Sequence, residues 1–271
     1  MDDAAWLEVF HRIGERVRAR VAPLLGTPEG RVELGRGAGG DRTVALDQAA
    51  EDEVIGELRR LSRAGAPCTV VSEEAGRLDL GAPYPLIFVD PVDGSLNAKR
   101  GIPVSGLMVS LLDGPTLGDV RIGVVHDLTS GERWHAVRSG GLHHDGAPVP
   151  RATFTGSRIQ VLGVEGSPRW LEPIWPLLRT ASKLREMGSI AISLACAATG
   201  AFDVFCSAKP GRAFDMTAGM LMVQEAGGVI TDVDGRPLET RTAGLDEKGT
   251  LLAAATPAAH ALALEHLRAA V

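Results

Sequence analysis

The residues with the clearest capacity for chemistry are the two aspartates of DPVDGSLN, a segment that directly follows the apolar run PLIFV. Asp90 and Asp93 stand three positions apart around a proline, and Gly94 and Ser95 follow them. Adjacent carboxylates repel each other unless a cation offsets them, and carboxylate oxygens are ligands that Mg²⁺ prefers. The spacing favours a metal site that includes the Val92 carbonyl, while Asp-Pro and Asp-Gly leave a plain turn as the alternative.

Other acids lie at comparable places, where an apolar segment meets a polar one. Glu73 and Glu74 follow the run TVVS. Asp215 lies at the start of the helical segment FDMTAG, and Asp47 lies at the start of another. Taken singly, the two aspartates could be helix N-caps and the glutamate pair could be part of a solvated loop. Their agreement with Asp90 favours one shared cation site.

Two further motifs suggest other chemistry but lack the context that it requires. Gly35, Gly37 and Gly40 match the G-x-G-x-x-G pattern, yet the preceding RVEL is short and charged and no helix follows directly. We interpret these glycines as a mobile, solvated loop. His143 and His144 precede a turn and have no second histidine pair at zinc spacing, so we expect them in a surface loop. The sequence also lacks a G-x-S-x-G elbow and a P-loop lysine.

Composition narrows the class of protein. The chain has 271 residues, 45% of them hydrophobic, which suffices for a substantial core. A formal net charge of −6 argues against nucleic-acid or membrane partners, so phosphate would need a few local cations. Cys68, Cys196 and Cys206 form no C-x-x-C pair and fit a reducing compartment. Because no signal-peptide pattern or membrane-length apolar run is found, we expect a soluble, cytoplasmic protein.

The elements that must position the acids follow from periodicity and turn signals. Apolar spacing of three or four residues predicts helices over residues 6–24, 47–63, 168–179, 189–199, 215–226 and from 256 onward. Runs of strands and turns between Gly106 and Leu142 predict an antiparallel meander. The mixture predicts an α+β layered fold, with an N-terminal subdomain over residues 1–150 and a C-terminal α/β subdomain over residues 151–271.

DPVDGSLN, the upstream glutamate pair and the downstream FDMTAGMLMVQEAGG together resemble the inositol monophosphatase/fructose-1,6-bisphosphatase superfamily. The similarity runs from TVALDQAAED near Asp47 through EMGSIAISLACAATGAFD to Gly228. DGSLNAKRGIP and GAGGDRTVALDQAAE most resemble the archaeal-type branch, which acts on both fructose bisphosphate and inositol phosphate. The resemblance implies an αβαβα layered fold, a phosphomonoesterase that uses Mg²⁺ or Mn²⁺ in its place, and a homodimer.

Carried over residue by residue, the resemblance implies a set of metal ligands. Glu73, Asp90 and the Val92 carbonyl would hold one metal. Asp90, Asp93 and Asp215 would hold a second, with Glu73 and water available to a third. Glu73 thereby counts among the catalytic residues.

The resemblance also implies catalytic and substrate contacts. Ser95 and Asp47 would orient the attacking water, and the segment from Gly35 to Asp41 would be the mobile catalytic loop. The backbone around Gly94 and Gly188 would offer N–H groups to phosphate. The implied substrate-binding residues are Gly94, Ser95, Arg185, Gly188, Ser189, Lys209 and Arg212.

Two positions depart from the superfamily pattern. Phe214 stands where a tryptophan is usual. The segment SAKPGRAFD carries Lys209 and Arg212 where inositol-specific members place an acid. These cations either bind the second phosphate of a sugar bisphosphate or are solvated surface charges.

The activity implied is metal-assisted hydrolysis without a phosphoenzyme. Its leading substrate is fructose 1,6-bisphosphate, giving fructose 6-phosphate and phosphate, with inositol 1-phosphate also accepted. Alternatives are an inositol monophosphatase only and a 3′-phosphoadenosine 5′-phosphate phosphatase, although 4% aromatic residues disfavour adenine stacking. A non-catalytic sugar-phosphate-binding regulator is the alternative from another class, and the complete set of acids argues against it. A nicotinamide oxidoreductase ranks last.

Overall fold

The computed structural model describes residues 1–38, 40 and 42–269. Its α-helices are α1 (Asp3–Val21), α2 (Ala45–Arg63), α3 (Ser95–Arg100), α4 (Pro168–Leu171), α5 (Trp175–Leu178), α6 (Ile190–Thr199), α7 (Ala213–Glu225) and α8 (Pro257–Arg268). Single turns of 3-10 helix cover Ala22–Leu24, Glu29–Arg31, Leu117–Asp119 and Glu172–Ile174.

The strands are β1 (Glu33–Arg36), β2 (Arg42–Val44), β3 (Cys68–Ser72), β4 (Gly76–Asp93), β5 (Gly106–Leu112), β6 (Val120–Asp127), β7 (Arg133–Val137), β8 (Gly141–His144), β9 (Ala147–Pro148), β10 (Val161–Val164), β11 (Lys183–Glu186), β12 (Val204–Arg212), β13 (Val229–Thr231) and β14 (Lys248–Ala254). They form a seven-stranded sheet ordered β3-β4-β5-β6-β7-β8-β9 and a five-stranded sheet ordered β11-β10-β12-β14-β13. β1 and β2 form a separate antiparallel ribbon.

Helical layers alternate with the two sheets. α1 and α2 cover one face of the seven-stranded sheet, and α6 and α7 lie between the two sheets. α4, α5 and α8 pack with the five-stranded sheet around a third apolar cluster. This αβαβα order confirms the α+β layered fold predicted from the sequence.

The middle layer, formed by α6 and α7, is tightly packed because it contacts both sheets. Phe205 and Phe214 are fully buried in the cluster that α6 and α7 share with the sheets. α6 and α7 approach so closely that an added Cβ on Gly219 would lie 2.5 Å from the Cβ of Leu194. Dense packing of this kind fixes where the N-termini of the two helices lie.

β4 reverses its direction relative to β3, and this brings two of the predicted acids together. Residues 76–81 pair antiparallel with β3, whereas residues 86–89 run parallel to it. Glu73 leaves the end of β3 with its N–H 3.3 Å from the Val89 carbonyl, next to Asp90. The two carboxylates therefore lie at the same edge of the sheet.

The structure corrects several sequence predictions of local structure. The predicted helix over residues 168–179 is broken into α4, a 3-10 turn and α5, because Pro173 and Pro176 lack the N–H groups that a continuous helix uses. His143 and His144 lie on β8 rather than in a loop, and the turn is formed by Asp145 and Gly146.

Two elements had no clear signal in the sequence. β11 and β1 are exposed and lack apolar alternation, and β2 has only three residues. In the glycine-rich segment, Gly37, Ala38 and Gly40 connect the two ribbon strands, and Gly39 and Asp41 lie outside the described residues. An antiparallel ribbon is not the strand–turn–helix context of a dinucleotide site.

The two sheets fall in different halves of the chain. The seven-stranded sheet uses residues 68–148, and the five-stranded sheet uses residues 161–254. The division into subdomains at residue 150 stays a prediction. None of the described helices is both long and apolar enough to cross a bilayer.

Candidate active site

The predicted acids converge on one cavity of about 850 Å³. Its wall includes Glu73, Asp90, Asp93 and Asp215, which come from the ends of three different elements. Apolar side chains and a second group of polar residues complete the wall. The cavity therefore has an acidic end and room for a small organic molecule beside it.

Asp90 is the most deeply buried of these acids, with 3% of its surface exposed. The Val92 N–H donates a hydrogen bond of 3.0 Å to its Oδ1. Burial raises the pKa of Asp90 well above its ordinary value, and the nearby Glu73, Asp93 and Asp215 raise it further. A cation bound among them would favour the charged carboxylates.

Asp93 is fixed by the N-terminus of α6. Its Oδ2 accepts hydrogen bonds from the Ser189 hydroxyl at 2.5 Å and from the Ala191 N–H at 2.6 Å. Burial raises the pKa of Asp93, and these hydrogen bonds oppose the rise. Since the hydrogen bonds use Oδ2, the other oxygen stays available to a cation.

Asp215 lies in the first turn of α7 and accepts a hydrogen bond of 2.7 Å from the Arg212 N–H. Burial raises its pKa to about 7. The N-cap of α7 is Arg212, and Asp215 is the third residue of the helix, so the N-cap alternative is wrong in position. The Asp215 side chain lies in the cavity wall.

An arginine supplies positive charge inside the acidic cluster. The Arg212 guanidinium lies 2.9 Å from Glu73 Oε1, and both side chains are largely buried. The guanidinium also lies 5.6 Å from the centre of the Phe214 ring. Arg212 thus joins the end of β12 to the end of β3 and offsets part of the local negative charge.

Asp47 and Ser95 meet beside the cavity. The Asp47 carboxylate accepts from the Val44 N–H at 3.2 Å and lies 3.6 Å from the Lys99 ammonium. Among the described residues, nothing donates to its buried Oδ1. The Ser95 hydroxyl donates to the Val92 carbonyl at 2.9 Å. Burial raises the pKa of Asp47, and the nearby Lys99 ammonium and Ser95 hydroxyl oppose the rise. A carboxylate and a hydroxyl side by side are groups that can orient a water.

Glu51, which the sequence reasoning missed, fixes the loop that carries Glu73. It is 3% exposed on α2, and it accepts hydrogen bonds from the Ser72 hydroxyl at 2.7 Å and from the Ala75 N–H at 3.2 Å. Burial raises its pKa to about 7. The loop is held on its other side by Glu74, whose carboxylate accepts from the Thr43 hydroxyl.

The two segments predicted to bind phosphate lie against each other. Gly94 has a φ of +89°, and an added Cβ there would lie 2.9 Å from the Gly188 carbonyl oxygen. Asn97 joins the segments further, because its amide donates to the Met187 carbonyl at 2.7 Å. Ser189 follows Gly188 directly, and its hydroxyl donates a hydrogen bond to Asp93.

The basic residues predicted to bind substrate do not all lie in the cavity wall. Lys209 and Arg212 line the cavity, together with Lys248 from β14. Arg185 lies exposed on β11, its guanidinium donates to the Leu184 carbonyl at 2.8 Å, and it is outside the cavity wall. The substrate-binding roles of these residues stay predictions.

Glu165 is a further acid in the cavity wall that sequence reasoning did not single out. It directly follows β10, so the signal that identified Glu73 and Asp90, an acid at the end of an apolar run, was present for it too. Burial raises its pKa to about 7. Lys99 and Asn97 had no comparable signal.

A second group with metal-ligand atoms lies elsewhere. One ligand atom each from Glu132, His144 and Asp145 lie within 4.8 Å of one another, and Glu132 and Asp145 are exposed. None of the three belongs to the wall of the large cavity. A partly buried histidine can pair with surface carboxylates in this way without a metal, so no function follows from the group.

The donors in the cavity fit a hard divalent cation. Four carboxylates and the Val92 carbonyl line one wall, and all of them offer oxygen. Burial raises the pKa of Asp90, the neighbouring acids raise it further, and a bound cation would oppose both effects.

A model of the inositol monophosphatase family matches residues 5–271. The chain belongs to this family. It is 31% identical over 245 residues to a fructose-1,6-bisphosphatase/inositol-1-monophosphatase of Methanothermobacter thermautotrophicus, covering 86% of each chain. It is 32% identical to an inositol-1-monophosphatase of Aeropyrum pernix, covering 91% of this chain and 92% of that one. A crystal structure of an inositol monophosphatase–fructose 1,6-bisphosphatase superposes with a TM-score of 0.83, at 23% identity, over 96% of this chain and 99% of the other.

Membership of this family identifies the class of reaction. The family is metal-dependent, and the relatives named above are phosphatases. The protein is therefore a phosphoric monoester hydrolase, and its similarity to the archaeal dual-activity proteins extends over most of the chain.

Asp90→Asn should abolish phosphate release and raise the melting temperature of the metal-free protein. The amide oxygen can still accept the Val92 N–H, while the repulsion among the acids falls. Phosphate release and thermal unfolding in chelator are the two measurements. Asp113→Asn, which alters an acid that is 53% exposed and pairs with Arg121, is the control and should change neither. A normal rate for Asp90→Asn would mean that this residue only forms a turn.

Glu51→Gln should stabilise the protein more at pH 8 than at pH 5. Because folding raises the pKa of Glu51 from 4.5 to about 7, its stabilising contribution is full below about pH 4.5 and is lost as the pH rises to about 7. The amide oxygen can accept from the Ala75 N–H, and its NH₂ can donate to the Ser72 hydroxyl oxygen. The substitution removes a cost on the order of 2 kcal/mol at pH 8. Thermal unfolding at the two pH values measures the effect.

The control for this experiment is Glu53→Gln on the same helix. The Glu53 carboxylate pairs with Arg16 at 2.8 Å near the surface, so its removal should bring no gain at pH 8. An equal change in melting temperature at both pH values for Glu51→Gln would contradict the assignment.

Proposed function

We propose that this phosphatase uses Mg²⁺, or Mn²⁺ in its place, to hydrolyse fructose 1,6-bisphosphate to fructose 6-phosphate and phosphate, and that it also accepts inositol 1-phosphate. The convergence of Glu73, Asp90, Asp93 and Asp215 on one cavity wall is the observation that carries the proposal. Relatives named for both activities support the choice of substrates.

The acidic wall would hold the cations. Asp90, placed between the other acids, would contribute to two sites, with Glu73 and the Val92 carbonyl on one side and Asp93 and Asp215 on the other. When bound, the cations supply charge that offsets the phosphate and favours ionisation of the attacking water. Because all the ligands are oxygens, a hard cation is preferred over zinc.

The residues of the chain position the water and the phosphate. Asp47 offers a buried oxygen without a hydrogen-bond donor among the described residues, and Ser95 lies beside it. We assign to this pair the orientation of the water, with Asp47 accepting its proton. Backbone N–H groups of the adjoining turns at Gly94 and Gly188 would hold the phosphate oxygens.

The bisphosphate assignment depends on exposed cations in the cavity wall. Lys209 and Lys248 are exposed and line the cavity. Arg212 contributes less than the sequence suggested, since its guanidinium pairs with Glu73. This pairing favours an inositol monophosphatase without bisphosphatase activity as the second candidate.

The assembly and cellular setting are part of the same proposal. We expect a homodimer in the cytoplasm, acting in carbohydrate metabolism such as gluconeogenesis, with a small sugar phosphate and neither nucleic acid nor membrane as its partner. A negative net charge of −6 agrees with the last point. Light scattering of the purified protein measures the assembly state.

Phosphate release should depend on Mg²⁺ and should be fastest with fructose 1,6-bisphosphate and inositol 1-phosphate. The test uses a panel of phosphomonoesters that includes 3′-phosphoadenosine 5′-phosphate, each with Mg²⁺, with Mn²⁺ and with excess chelator. Full turnover in chelator would contradict the metal assignment. Activity on inositol 1-phosphate alone would select the second candidate.

Lys209→Ala should lower kcat/KM for fructose 1,6-bisphosphate about ten- to a hundredfold, since a charge-assisted contact contributes about 1.5–3 kcal/mol. The same variant should hardly change inositol 1-phosphate hydrolysis, which offers no second phosphate. Arg212→Ala should impair both substrates, because its guanidinium also pairs with Glu73. An equal loss on both substrates for Lys209→Ala would remove its role in selecting the bisphosphate.

A further inference from the structure

Lys99 is a cation beside the pair of residues assigned to the attacking water, and none of the roles given above uses it. Its ammonium lies 3.6 Å from Asp47 Oδ2, and its side chain is 25% exposed. Among the described residues, Lys99 is the cation that pairs with Asp47. Water and salt screen a partly buried pair less than a surface pair, so the ammonium acts on the carboxylate more strongly than a surface lysine would.

The short helix α3 places Lys99 and Ser95 against the same carboxylate. The two residues are four positions apart on α3, so their side chains lie on one face of the helix. Asp47, in the first turn of α2, also accepts the Val44 N–H on the oxygen that faces the ammonium. Groups from both α2 and α3 therefore fix this carboxylate.

The other charged groups around the start of α2 have partners of their own. Glu51, one turn further along the helix, accepts hydrogen bonds from the end of β3 and the loop after it. Arg42 of β2 pairs with Glu33 of β1 at 3.0 Å. The acids of the cavity wall repel one another. In the described part of the chain, the charge that acts on Asp47 is that of Lys99.

Asp47 needs such a partner because it is buried. It is 3% exposed, and burial raises its pKa above the ordinary value. A protonated carboxyl group cannot accept a further proton, so burial alone would limit Asp47 as a base near neutral pH. The Lys99 ammonium opposes the effect of burial on this pKa and extends the pH range in which Asp47 is charged.

The charge on Asp47 acts on the cavity through Ser95. Ser95 lines the cavity, whereas Asp47 and Lys99 are not part of its wall. A water in the cavity therefore meets the Ser95 hydroxyl first, and a charged Asp47 favours movement of a proton away from that water. The influence of Lys99 on a bound substrate is indirect.

We propose that Lys99 is a positioning residue for Asp47, whose carboxylate it keeps charged and fixed beside Ser95 so that this carboxylate can accept the proton of the attacking water. The inference rests on the proposed function, because it uses the roles given there to Asp47 and Ser95. It makes hydrolysis near neutral pH depend on a cation outside the cavity wall.

Lys99→Met should move the acidic limb of the kcat profile upward by about one pH unit, because an opposite charge nearby lowers the pKa of a carboxyl group by about one to three units and Lys99 is partly exposed. With saturating Mg²⁺ and inositol 1-phosphate, kcat should fall about tenfold on that limb and less than about threefold at pH 8.5. KM should change little, since Lys99 is outside the cavity wall. Lys99→Arg keeps the charge and should restore the wild-type profile.

Arg100→Met is the matched control. It removes the same charge from the next residue of α3, which is exposed. Its pH profile should match that of the wild type. An equal loss of kcat at every pH in Lys99→Met, without recovery in Lys99→Arg, would mean that Lys99 only supports α3 and would overturn the inference.

A second measurement needs no turnover. In chelator, Lys99→Met should lower the melting temperature more at pH 8 than at pH 5, because the pair stabilises the charged carboxylate and that form is lost as the pH falls through its pKa. Asp47→Asn removes the carboxylate charge, so Lys99→Met should lower the melting temperature much less in that background. Equal decreases in the two backgrounds would mean that the ammonium does not act on Asp47.

The two measurements separate the inference from the proposed function. Coupling between Lys99 and Asp47 in thermal unfolding, together with an unchanged pH profile of kcat, would overturn the positioning role and leave the proposed function intact. Wild-type protein that hydrolyses neither inositol 1-phosphate nor fructose 1,6-bisphosphate would overturn the proposed substrates, and the positioning role with them.

Discussion

Repulsion among buried carboxylates is the constraint around which the centre of this protein is arranged. Asp90 is almost fully buried, and three other acids act on it. The chain offsets part of this repulsion in two ways. The N-terminus of α6 donates to Asp93, and the Arg212 guanidinium pairs with Glu73. The remaining negative charge suits a divalent cation, so the carboxylates that repel one another are also the groups whose oxygens such a cation prefers.

The middle helical layer makes this arrangement possible. α6 and α7 pack against both sheets, and the first turn of each helix faces the acids of the seven-stranded sheet. A helix N-terminus has N–H groups without partners within the helix, and the acids accept hydrogen bonds from these groups. The same contacts that dock the two sheets therefore also orient the acids of the cavity wall. Ser189 and Arg212 each join a helix N-terminus to one of these acids.

The sequence predicted the parts of the site that follow from local rules. An acid at the end of an apolar run identified Glu73 and Asp90, because a buried strand must end where polar groups can leave the core. The layered fold and the long helices followed from periodicity. The pairing of Arg212 with Glu73 could not be predicted, since it joins residues 139 positions apart. Glu51 was missed because, in sequence, a buried glutamate resembles the exposed glutamates of an amphipathic helix. β11 was missed because its residues are charged and exposed.

The wide spacing of the site residues has a consequence for how the protein forms. Asp93 meets Ser189 across 96 residues, and Glu73 meets Arg212 across 139. Contacts that distant close large loops of chain and form late in folding. During synthesis, the acids of the first sheet emerge from the ribosome well before the helix termini and the arginine that accompany them. The nascent N-terminal half therefore carries its clustered carboxylates without their partners, and Asp215 joins them only when α7 docks. A cation held by all four acids would stabilise the docked state and not the earlier one.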